Sequence, residues 1–174
     1  MASRLVIKGK TETTFAPNDQ IKRAEFASIL VRAMGLKPSE ANDALNFKDS
    51  KANDWFNADV QTAVNYGLIS GYHDGTFKGN QTITREEAMV MLSKAMKWTK
   101  LTQVNDVAAI GSNISSFSDA AAIGNWSKQA VASAATNGII KGQSKGKLNP
   151  KANITRAETA VMVERFLKKA ELID

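Results

Sequence analysis

The chain of 174 residues has no cysteine, one histidine and three prolines. Without cysteine it can form no disulfide bond and offers no thiolate metal ligand and no cysteine nucleophile. The one histidine, His73, lies in a glycine-rich stretch and has no second metal ligand at helical spacing. No apolar run approaches the roughly 20 residues that a membrane-spanning helix needs. A cysteine-free composition is compatible with the cytosol and with a bacterial cell surface.

The charge balance is basic, with a formal net charge of +6. Such a balance favours acidic partners, such as nucleic acids, anionic glycans, anionic lipids or phosphate-rich polymers, and a solvated basic surface would explain it equally well. No recognition helix with clustered Lys/Arg and exposed aromatic residues supports nucleic-acid binding. No G-x-S-x-G motif, P-loop or acid/base carboxylate pair is present either, so the sequence does not predict an enzyme.

A five-residue motif recurs three times, as I-K-R-A-E at 21–25, I-T-R-E-E at 83–87 and I-T-R-A-E at 154–158. A glycine stands 14 residues before the arginine of each motif. The glycine–arginine pairs are Gly9 with Arg23, Gly71 with Arg85, and Gly142 with Arg156. Spacings that hold in register three times indicate an internal repeat.

Two of the three copies carry an upstream half that the first copy lacks. Trp55 and Trp126 each stand 12 residues before a glycine, and a Phe-x-Asp triplet ending at Asp49 or Asp119 precedes each tryptophan. The distances between successive arginines are 62 and 71 residues. The excess falls in the polar segment 102–116, which we interpret as a linker insertion.

Each complete unit predicts two helices joined by a turn and a loop. The first helix runs from the tryptophan to a terminating glycine, Gly67 or Gly138. The second begins at a threonine N-cap, Thr84 or Thr155, and a glutamate three residues later completes a capping box. Apolar residues 6, 7, 10 and 11 positions after the arginine form its buried stripe. Neither helix can bury its apolar face alone, so we expect the units to share one core.

The arginine of each motif occupies a position that a helix does not favour. It is the first helical residue, where a cation faces the positive end of the helix dipole at a cost of roughly 0.3–1 kcal/mol. One interpretation is that the guanidinium and the free helix amides converge on one anion. The other is an ion pair with an Asp or Glu of a neighbouring unit. The residues alone leave both interpretations open.

The repeated glycines and tryptophans also have two interpretations each. The glycines could form turns with positive φ, or they could let a ligand approach the backbone closely. The tryptophans could be core residues, or they could be partly exposed platforms beside an arginine. The second arrangement would suit a sugar ring with an acidic substituent.

The combined pattern resembles the S-layer homology (SLH) domain family. In the third copy it is carried by Phe117, Asp119, Trp126, the G-I-I-x-G segment 138–142, Pro150 and the motif at 154–158. The resemblance implies an all-α, mainly helical fold of tandem repeats, in a pseudo-three-fold arrangement with a central helical bundle and loop-and-helix prongs. It divides the chain into unit 1 (1–36, incomplete on its N-terminal side), unit 2 (45–98), a linker (99–114) and unit 3 (115–174).

The resemblance also implies a function. SLH modules anchor bacterial surface proteins non-covalently to the cell wall. They bind secondary cell wall polymers, often through a pyruvate-ketal amino sugar, in grooves between units. We therefore expect an extracellular, cell-surface location, no enzymatic activity, no cofactor and no metal. The ligand-binding residues that the resemblance implies are Arg23, Arg85, Arg156, Gly9, Gly71, Gly142, Trp55, Trp126, Asp49 and Asp119. The alternative is a structural or self-assembly module whose arginines form inter-unit salt bridges.

Three departures from the family pattern predict unequal sites. Lys22 replaces the capping threonine in unit 1, Glu86 stands beside Arg85 and could neutralise it, and Leu148 replaces the usual aromatic residue in unit 3. Unit 1 also lacks the helix that would carry a tryptophan. The groove that needs this helix is either open or completed by a second chain through domain swapping. We expect the third motif to form the most family-like site and the first the least complete one.

Overall fold

The computed structural model describes residues 7, 9, 13–37 and 47–174. Predictions about the remaining positions, including the first residues of units 1 and 2, lie outside the described residues. The described chain folds into six α-helices: α1 (Arg23–Ala33), α2 (Asn57–Asn65), α3 (Arg85–Met96), α4 (Val107–Ile114), α5 (Lys128–Thr136) and α6 (Arg156–Lys169). Its extended segments pair only as isolated bridges. The prediction of a mainly helical fold is confirmed.

The long helix of each unit begins at the predicted residue, with the repeated arginine in the first helical position. The hydroxyls of Thr84 and Thr155 accept hydrogen bonds from the amides of Glu87 and Glu158, at 3.4 and 3.2 Å. Each glutamate accepts in return from the threonine amide at 2.9 Å. Lys22 supplies no side-chain cap, and Glu25 alone closes that end by accepting from the Lys22 amide at 2.8 Å.

The shorter helices α2 and α5 end as the sequence predicted, each two residues before a glycine. Gly67 and Gly138 both have φ +67°, the left-handed conformation that lets the chain leave a helix without a Cβ clash. Both helices begin two residues after their tryptophan. Trp55 and Trp126 therefore lie just before the helices and not within them.

The three long helices contribute their apolar stripes to one core. The large side chains that are fully buried come from all three units, and they include Phe26, Leu30, Met89, Leu92 and Phe166. Burying a side chain of this size stabilises the fold by roughly 1.5–3 kcal/mol. A unit that lost its neighbours would lose much of this burial, so the units depend on one another for stability.

Three isoleucines join the units in a closed ring of backbone hydrogen bonds. The Ile21 amide donates to the Ile154 carbonyl at 3.0 Å, the Ile83 amide to the Ile21 carbonyl at 3.1 Å, and the Ile154 amide to the Ile83 carbonyl at 3.2 Å. All three side chains are buried. The ring is what a pseudo-three-fold assembly requires at its centre, and the arrangement of whole modules about it stays a prediction.

The segment interpreted as a linker contains the helix α4. The Asp106 carboxylate caps α4 by accepting from the Ala109 amide at 2.7 Å, and α4 packs against α5. The segment before α4 also contacts α5, because the Val104 amide donates a hydrogen bond to the Ser133 hydroxyl at 3.0 Å. The sequence VAAIGSNI of α4 has five apolar residues, and it lies outside the repeated pattern from which the other helices were predicted. The boundaries of the units stay predictions.

Candidate functional site

Each of the three repeated arginines lines a groove of a few hundred cubic ångströms. The Arg23 groove has a volume of about 480 Å³. The Arg85 groove has about 300 Å³ and the Arg156 groove about 360 Å³. In each groove the arginine is the first residue of a long helix, and the other walls come from different units.

The Arg23 groove brings together parts of all three units. Unit 1 supplies Arg23, and unit 3 supplies Trp126. Unit 2 supplies the turn 69–73 and one face of α3, which includes Glu87 and Lys94. Sequence-predicted residues from positions 23, 71 and 126 thus lie around one cavity.

Arg23 is held by contacts across the boundary between units 1 and 2. Its Nη2 donates to the Ser70 carbonyl at 3.2 Å, and its Nη1 lies 3.9 Å from Oε1 of Glu87. The guanidinium carbon lies 4.7 Å from the ring centre of Tyr72, whose hydroxyl donates to the same Glu87 carboxylate. Burial and the hydrogen bond to Glu87 raise the pKa of Tyr72 to about 12. The Tyr72 hydroxyl therefore stays protonated and continues to donate a hydrogen bond to the Glu87 carboxylate, beside Arg23.

Arg85 makes a closer ion pair than Arg23 does. Its Nη1 lies 3.0 Å from Oε1 of Glu158, in a groove also lined by residues 139–143 and by Arg165. Burial lowers the pKa of the Arg85 guanidinium, and the Glu158 charge partly offsets this effect. An arginine keeps its charge at neutral pH despite such a shift.

Arg156 is the most buried of the three arginines, with 4% of its surface exposed. Its Nε donates to the Phe15 carbonyl at 2.8 Å, and its guanidinium lies 5.2 Å from the Phe15 ring centre. The groove in front of it is lined by Gly9, Glu25, Arg32 and Trp55, with Ile7 and Ile29 completing the wall.

The three grooves repeat one composition in cyclic order. The arginine comes from one unit, a glycine and the capping-box glutamate come from the next unit, and a tryptophan comes from the third. The glycines are Gly71, Gly142 and Gly9, and the glutamates are Glu87, Glu158 and Glu25, for the Arg23, Arg85 and Arg156 grooves in that order. The tryptophan is Trp126 in the Arg23 groove and Trp55 in the Arg156 groove. The described lining of the Arg85 groove contains none.

This order corrects the expectation about which site is least complete. The incomplete unit 1 contributes its arginine to the Arg23 groove, whose other walls come from the two complete units. The missing tryptophan of unit 1 affects the Arg85 groove. Sequence alone could not show which groove lacks a tryptophan, because the residues of one groove come from more than one unit.

A second cation in each groove was missed in the sequence. Lys94, Arg165 and Arg32 each stand nine residues after the repeated arginine of their own unit, and each faces the arginine of the preceding unit. A basic residue at this position in all three copies was visible in the sequence. The apolar periodicity that predicts these helices does not include this position, so it gives no signal for the second cation.

Lys94 shows how closely the two cations of a groove are placed. Its Nζ donates to the Ser70 hydroxyl at 3.1 Å, while Arg23 donates to the carbonyl of the same residue. Burial lowers the pKa of Lys94, and the charges of Arg23 and Lys97 lower it further. Cations that disfavour one another in this way gain from an anion placed between them.

Both repeated tryptophans are largely exposed, which decides between the two interpretations left open. Trp55 is 62% exposed and Trp126 is 58% exposed. The indole of Trp126 lies directly over Gly124, where an added Cβ would come within 2.6 Å of Nε1. Lys151 lies on the same ring, 5.9 Å from its centre. These residues therefore form groove walls and not core.

The groove glycines are needed for space. Neither Gly71 nor Gly142 adopts a positive φ, so the turn interpretation is wrong for both. A Cβ at Gly71 would lie 2.4 Å from the Phe47 ring, and one at Gly142 would lie 3.1 Å from the Gly146 backbone. Close packing within each unit thus requires glycine, and it leaves the backbone of these residues at the groove surface.

Asp49 and Asp119 lie apart from the described groove linings. The two oxygens of Asp49 accept from the amides of Phe77 and Lys78, each at 2.8 Å. Those of Asp119 accept from Leu148 and Asn149 at 2.7 and 2.8 Å. Each carboxylate clamps the loop that leads to its long helix, so we give both residues a structural role.

The helix amides do not converge on an anion with the guanidinium, which corrects that part of the sequence interpretation. The first amide of each long helix donates to a carbonyl of the next unit at 2.9 Å: Arg23 to Gln81, Arg85 to Ala152 and Arg156 to Asp19. The second amides are occupied in the same way at 3.0 Å. Only the side chains of these arginines are directed to the grooves.

Glu86 does not neutralise Arg85, contrary to expectation. Its carboxylate is buried and accepts from the Gly124 amide at 3.0 Å and the Ser127 hydroxyl at 2.9 Å. Lys151 pairs with its other oxygen. Glu86 therefore fixes the turn that carries Trp126, while Arg85 pairs with Glu158.

Within the ranges that the structure describes, no cluster of three or more His, Asp or Glu side chains is placed to hold a metal ion. No helix among the described residues is long and apolar enough to cross a bilayer.

Comparison with known families gives the chain its class. The model of the S-layer homology domain matches residues 1–27, 46–89 and 116–160. These segments cover most of the chain and contain the three repeated arginines. The chain belongs to the S-layer homology domain family, as its sequence pattern predicted. This membership assigns it to the bacterial cell surface.

Three curated proteins contain a region similar to this chain. The chain is 35% identical over 169 residues to the surface-layer 125 kDa protein of Lysinibacillus sphaericus, covering 95% of this chain and 13% of that protein. It is 30% identical over 169 residues to the cellulosome-anchoring protein of Acetivibrio thermocellus, covering 95% and 36%. It is 34% identical over 171 residues to the amylopullulanase of Thermoanaerobacterium thermosulfurigenes, covering 98% and 9%.

The chain thus spans about a tenth to a third of the length of these relatives. One of them, the amylopullulanase, carries an enzyme name, and the region matched in each is of the length of the repeated domain. The shared part is a binding and anchoring domain.

Proposed function

We propose that this chain anchors a surface protein non-covalently to the bacterial cell wall. It would do so by binding an anionic secondary cell wall polysaccharide, with a pyruvate-ketal amino sugar as the recognised group. The observation that carries the proposal is the recurrence of one groove composition three times, with two cations, a backbone glycine and, in two grooves, an exposed tryptophan.

The chemistry of the grooves suits a sugar that carries a carboxylate. A guanidinium can pair with a carboxylate through two parallel hydrogen bonds, and the second cation adds charge from the opposite wall. The exposed indole offers an apolar face and a donor to a sugar ring. The capping-box glutamate remains able to accept hydrogen bonds from hydroxyl or amide groups of the ligand.

The geometry of the arginines supports ligand binding in a further way. Their guanidiniums are mostly buried, yet Nε of Arg23 and of Arg85 has no hydrogen-bond partner among the described residues. A donor left unpaired in this environment costs about 1–3 kcal/mol. An anion that reorients the guanidinium can recover part of that energy.

A second candidate function rests on the ion pairs between units. Arg85 lies 3.0 Å from Glu158, and Arg23 lies 3.9 Å from Glu87, so the arginines also hold neighbouring units together. In this alternative the domain is a structural or self-assembly module and the arginines have no ligand. Completion of the Arg85 groove by a second chain would belong to the same alternative.

The two candidates are separated by a sedimentation assay with purified wall sacculi. We expect the chain to co-sediment with sacculi that carry the polymer. Co-sedimentation should be lost when the polymer is stripped, and also when its pyruvate is removed by mild acid. Equal binding to depyruvylated sacculi would reject the proposed ligand group, while a failure to bind any sacculi would reject wall anchoring. The variant Lys168→Ala, which removes an exposed cation outside the groove linings, serves as the control.

A further inference from the structure

A pair of aromatic residues lies near the C-terminal end of α3, outside the lining of the Arg23 groove. Trp98 follows the end of α3 and is 61% exposed. Its indole Nε1 donates to the Tyr66 carbonyl at 3.1 Å, and its ring meets the Tyr66 ring edge-on with centres 5.6 Å apart. The indole is thus held in one orientation while most of its surface faces solvent. We call Trp98 and Tyr66 the aromatic platform.

Two contacts place this platform next to the groove. Lys94, which lines the Arg23 groove, donates to Ser70, and Trp98 donates to Tyr66 in the same short segment of unit 2. Trp98 comes four residues after Lys94 and two residues after the last residue of α3. Lys94 and Ser70 line the groove, and Trp98 and Tyr66 follow or precede them by four residues, so the platform adjoins one end of the groove.

The platform exists at one groove only. The residues at the position of Trp98 in the other units are Leu36 and Lys169, and the residue at the position of Tyr66 in unit 3 is Asn137. The repeat that makes the three grooves alike therefore does not require these aromatic residues. Exposed cations at Lys97 and Lys100 flank the tryptophan and match the charge expected for an anionic polymer.

We propose that the aromatic platform is a second saccharide subsite, which binds the sugar residue adjacent to the one held in the Arg23 groove. The apolar face of that sugar would pack on the exposed indole, and the polymer would run along α3 past Lys94. The inference rests on the proposed function, because it needs a glycan in the Arg23 groove. It makes that groove selective for chains of two or more sugars.

The test uses the indole N–H signals of the three tryptophans, Trp55, Trp98 and Trp126, in ¹⁵N-labelled intact protein. Single Trp→Phe variants assign the signals. The probes are a pyruvylated N-acetylhexosamine monosaccharide and a purified oligosaccharide fragment of the wall polymer that carries it. We expect both probes to shift the Trp126 signal, and only the oligosaccharide to shift the Trp98 signal. Trp98→Ala should weaken oligosaccharide binding about three- to tenfold and leave monosaccharide binding unchanged.

The outcomes distinguish this inference from the function on which it rests. A Trp126 shift with both probes and no Trp98 shift with the oligosaccharide would overturn the second subsite and leave the proposed function standing. An equal loss of monosaccharide affinity in Trp98→Ala would also overturn it, because the residue would then act within the groove. Absence of any shift with either probe would reject the proposed function and this inference together.

Discussion

The guanidinium of Arg85 lies 3.0 Å from the carboxylate of Glu158, which also caps the helix that begins at Arg156. One carboxylate thus starts a helix of its own unit and holds the repeated arginine of the preceding unit. The same relationship links Arg23 to Glu87 at 3.9 Å. A ligand anion that enters either groove meets an arginine that already has an acidic neighbour.

Replacing Glu158 by Gln should separate the ligand-binding role of Arg85 from its structural role. The amide keeps the shape and can still accept from Thr155, but it removes the negative charge beside Arg85. We expect stability to fall by roughly 1–3 kcal/mol, because a charged hydrogen bond is lost. Affinity for the pyruvylated sugar should rise, since less repulsion opposes its carboxylate. Thermal unfolding and calorimetric titration measure the two effects, and lower stability with unchanged affinity would favour the purely structural alternative.

The exposed tryptophans should be needed for binding and not for folding. Trp126→Ala and Trp55→Ala each remove a ring that is more than half exposed, so we expect changes in unfolding free energy within about 0.5 kcal/mol. Each variant should weaken binding to polymer-bearing sacculi because it removes a groove wall. Val107→Ala is the control, as it trims another exposed apolar side chain, which is 82% exposed and lies outside the described groove linings. A tryptophan variant that unfolds more easily yet binds sacculi normally would contradict the assignment of these tryptophans to ligand binding.

Replacement by alanine should destabilise the fold at the groove glycine Gly71 and stabilise it at Gly111, which has open space around it. Gly71→Ala places a Cβ 2.4 Å from the Phe47 ring, and we expect it to destabilise the fold by about 1–3 kcal/mol through overpacking. Gly111→Ala in α4 has no atom within 4 Å of its Cβ and should stabilise that helix by about 0.5–1 kcal/mol. Chemical denaturation of both variants measures the contrast. Equal stability of the two variants would show that Phe47 does not pack against Gly71.

The lowered pKa of Lys94 predicts proton uptake on binding. Burial, with the charges of Arg23 and Lys97, brings this pKa below its ordinary value of 10.5. A bound carboxylate favours the charged amine and raises the pKa again, so the complex takes up protons in the window between the two values. Affinity should therefore fall as pH rises through the lowered pKa of free Lys94.

Titration calorimetry in buffers of different ionisation enthalpy detects this uptake. Other ionisable groups also line the Arg23 groove, namely Tyr72, His73 and Glu87. His73→Asn controls for the histidine, and Lys94→Arg should abolish the uptake at alkaline pH because the guanidinium does not titrate there. Uptake that persists in Lys94→Arg would assign the proton to another group.

The sequence was most informative where structure is local. The Thr84 and Thr155 caps, the glutamates three residues later and the terminating Gly67 and Gly138 act within a few residues, and the structure confirms each of them. The arginine at the first helical position was predicted for the same reason. Its unfavourable place is explained by contacts with the next unit.

The parts that the sequence did not predict depend on contacts between units. Nothing near Arg23 in the sequence indicates that Gln81 accepts from its amide, or that Trp126 faces it across a groove. Glu86 was misjudged because its partners, Gly124 and Ser127, lie in another unit. The α4 helix carries local signals, namely apolar residues and the Asp106 cap, but it lies outside the repeated pattern on which the prediction of helices was based.

The central claim is that the repeated arginines bind the acidic group of a wall sugar. Calorimetric titration of the pyruvylated N-acetylhexosamine into the intact chain and into Arg23→Ala, Arg156→Ala and the triple Arg→Ala variant tests it most directly, after circular dichroism has shown that each variant is folded. We predict an affinity loss of about ten- to a hundredfold for the triple variant, with Lys168→Ala unchanged. Unchanged sugar affinity in a folded triple variant, accompanied by a lower melting temperature, would contradict the claim and leave the arginines as links between units.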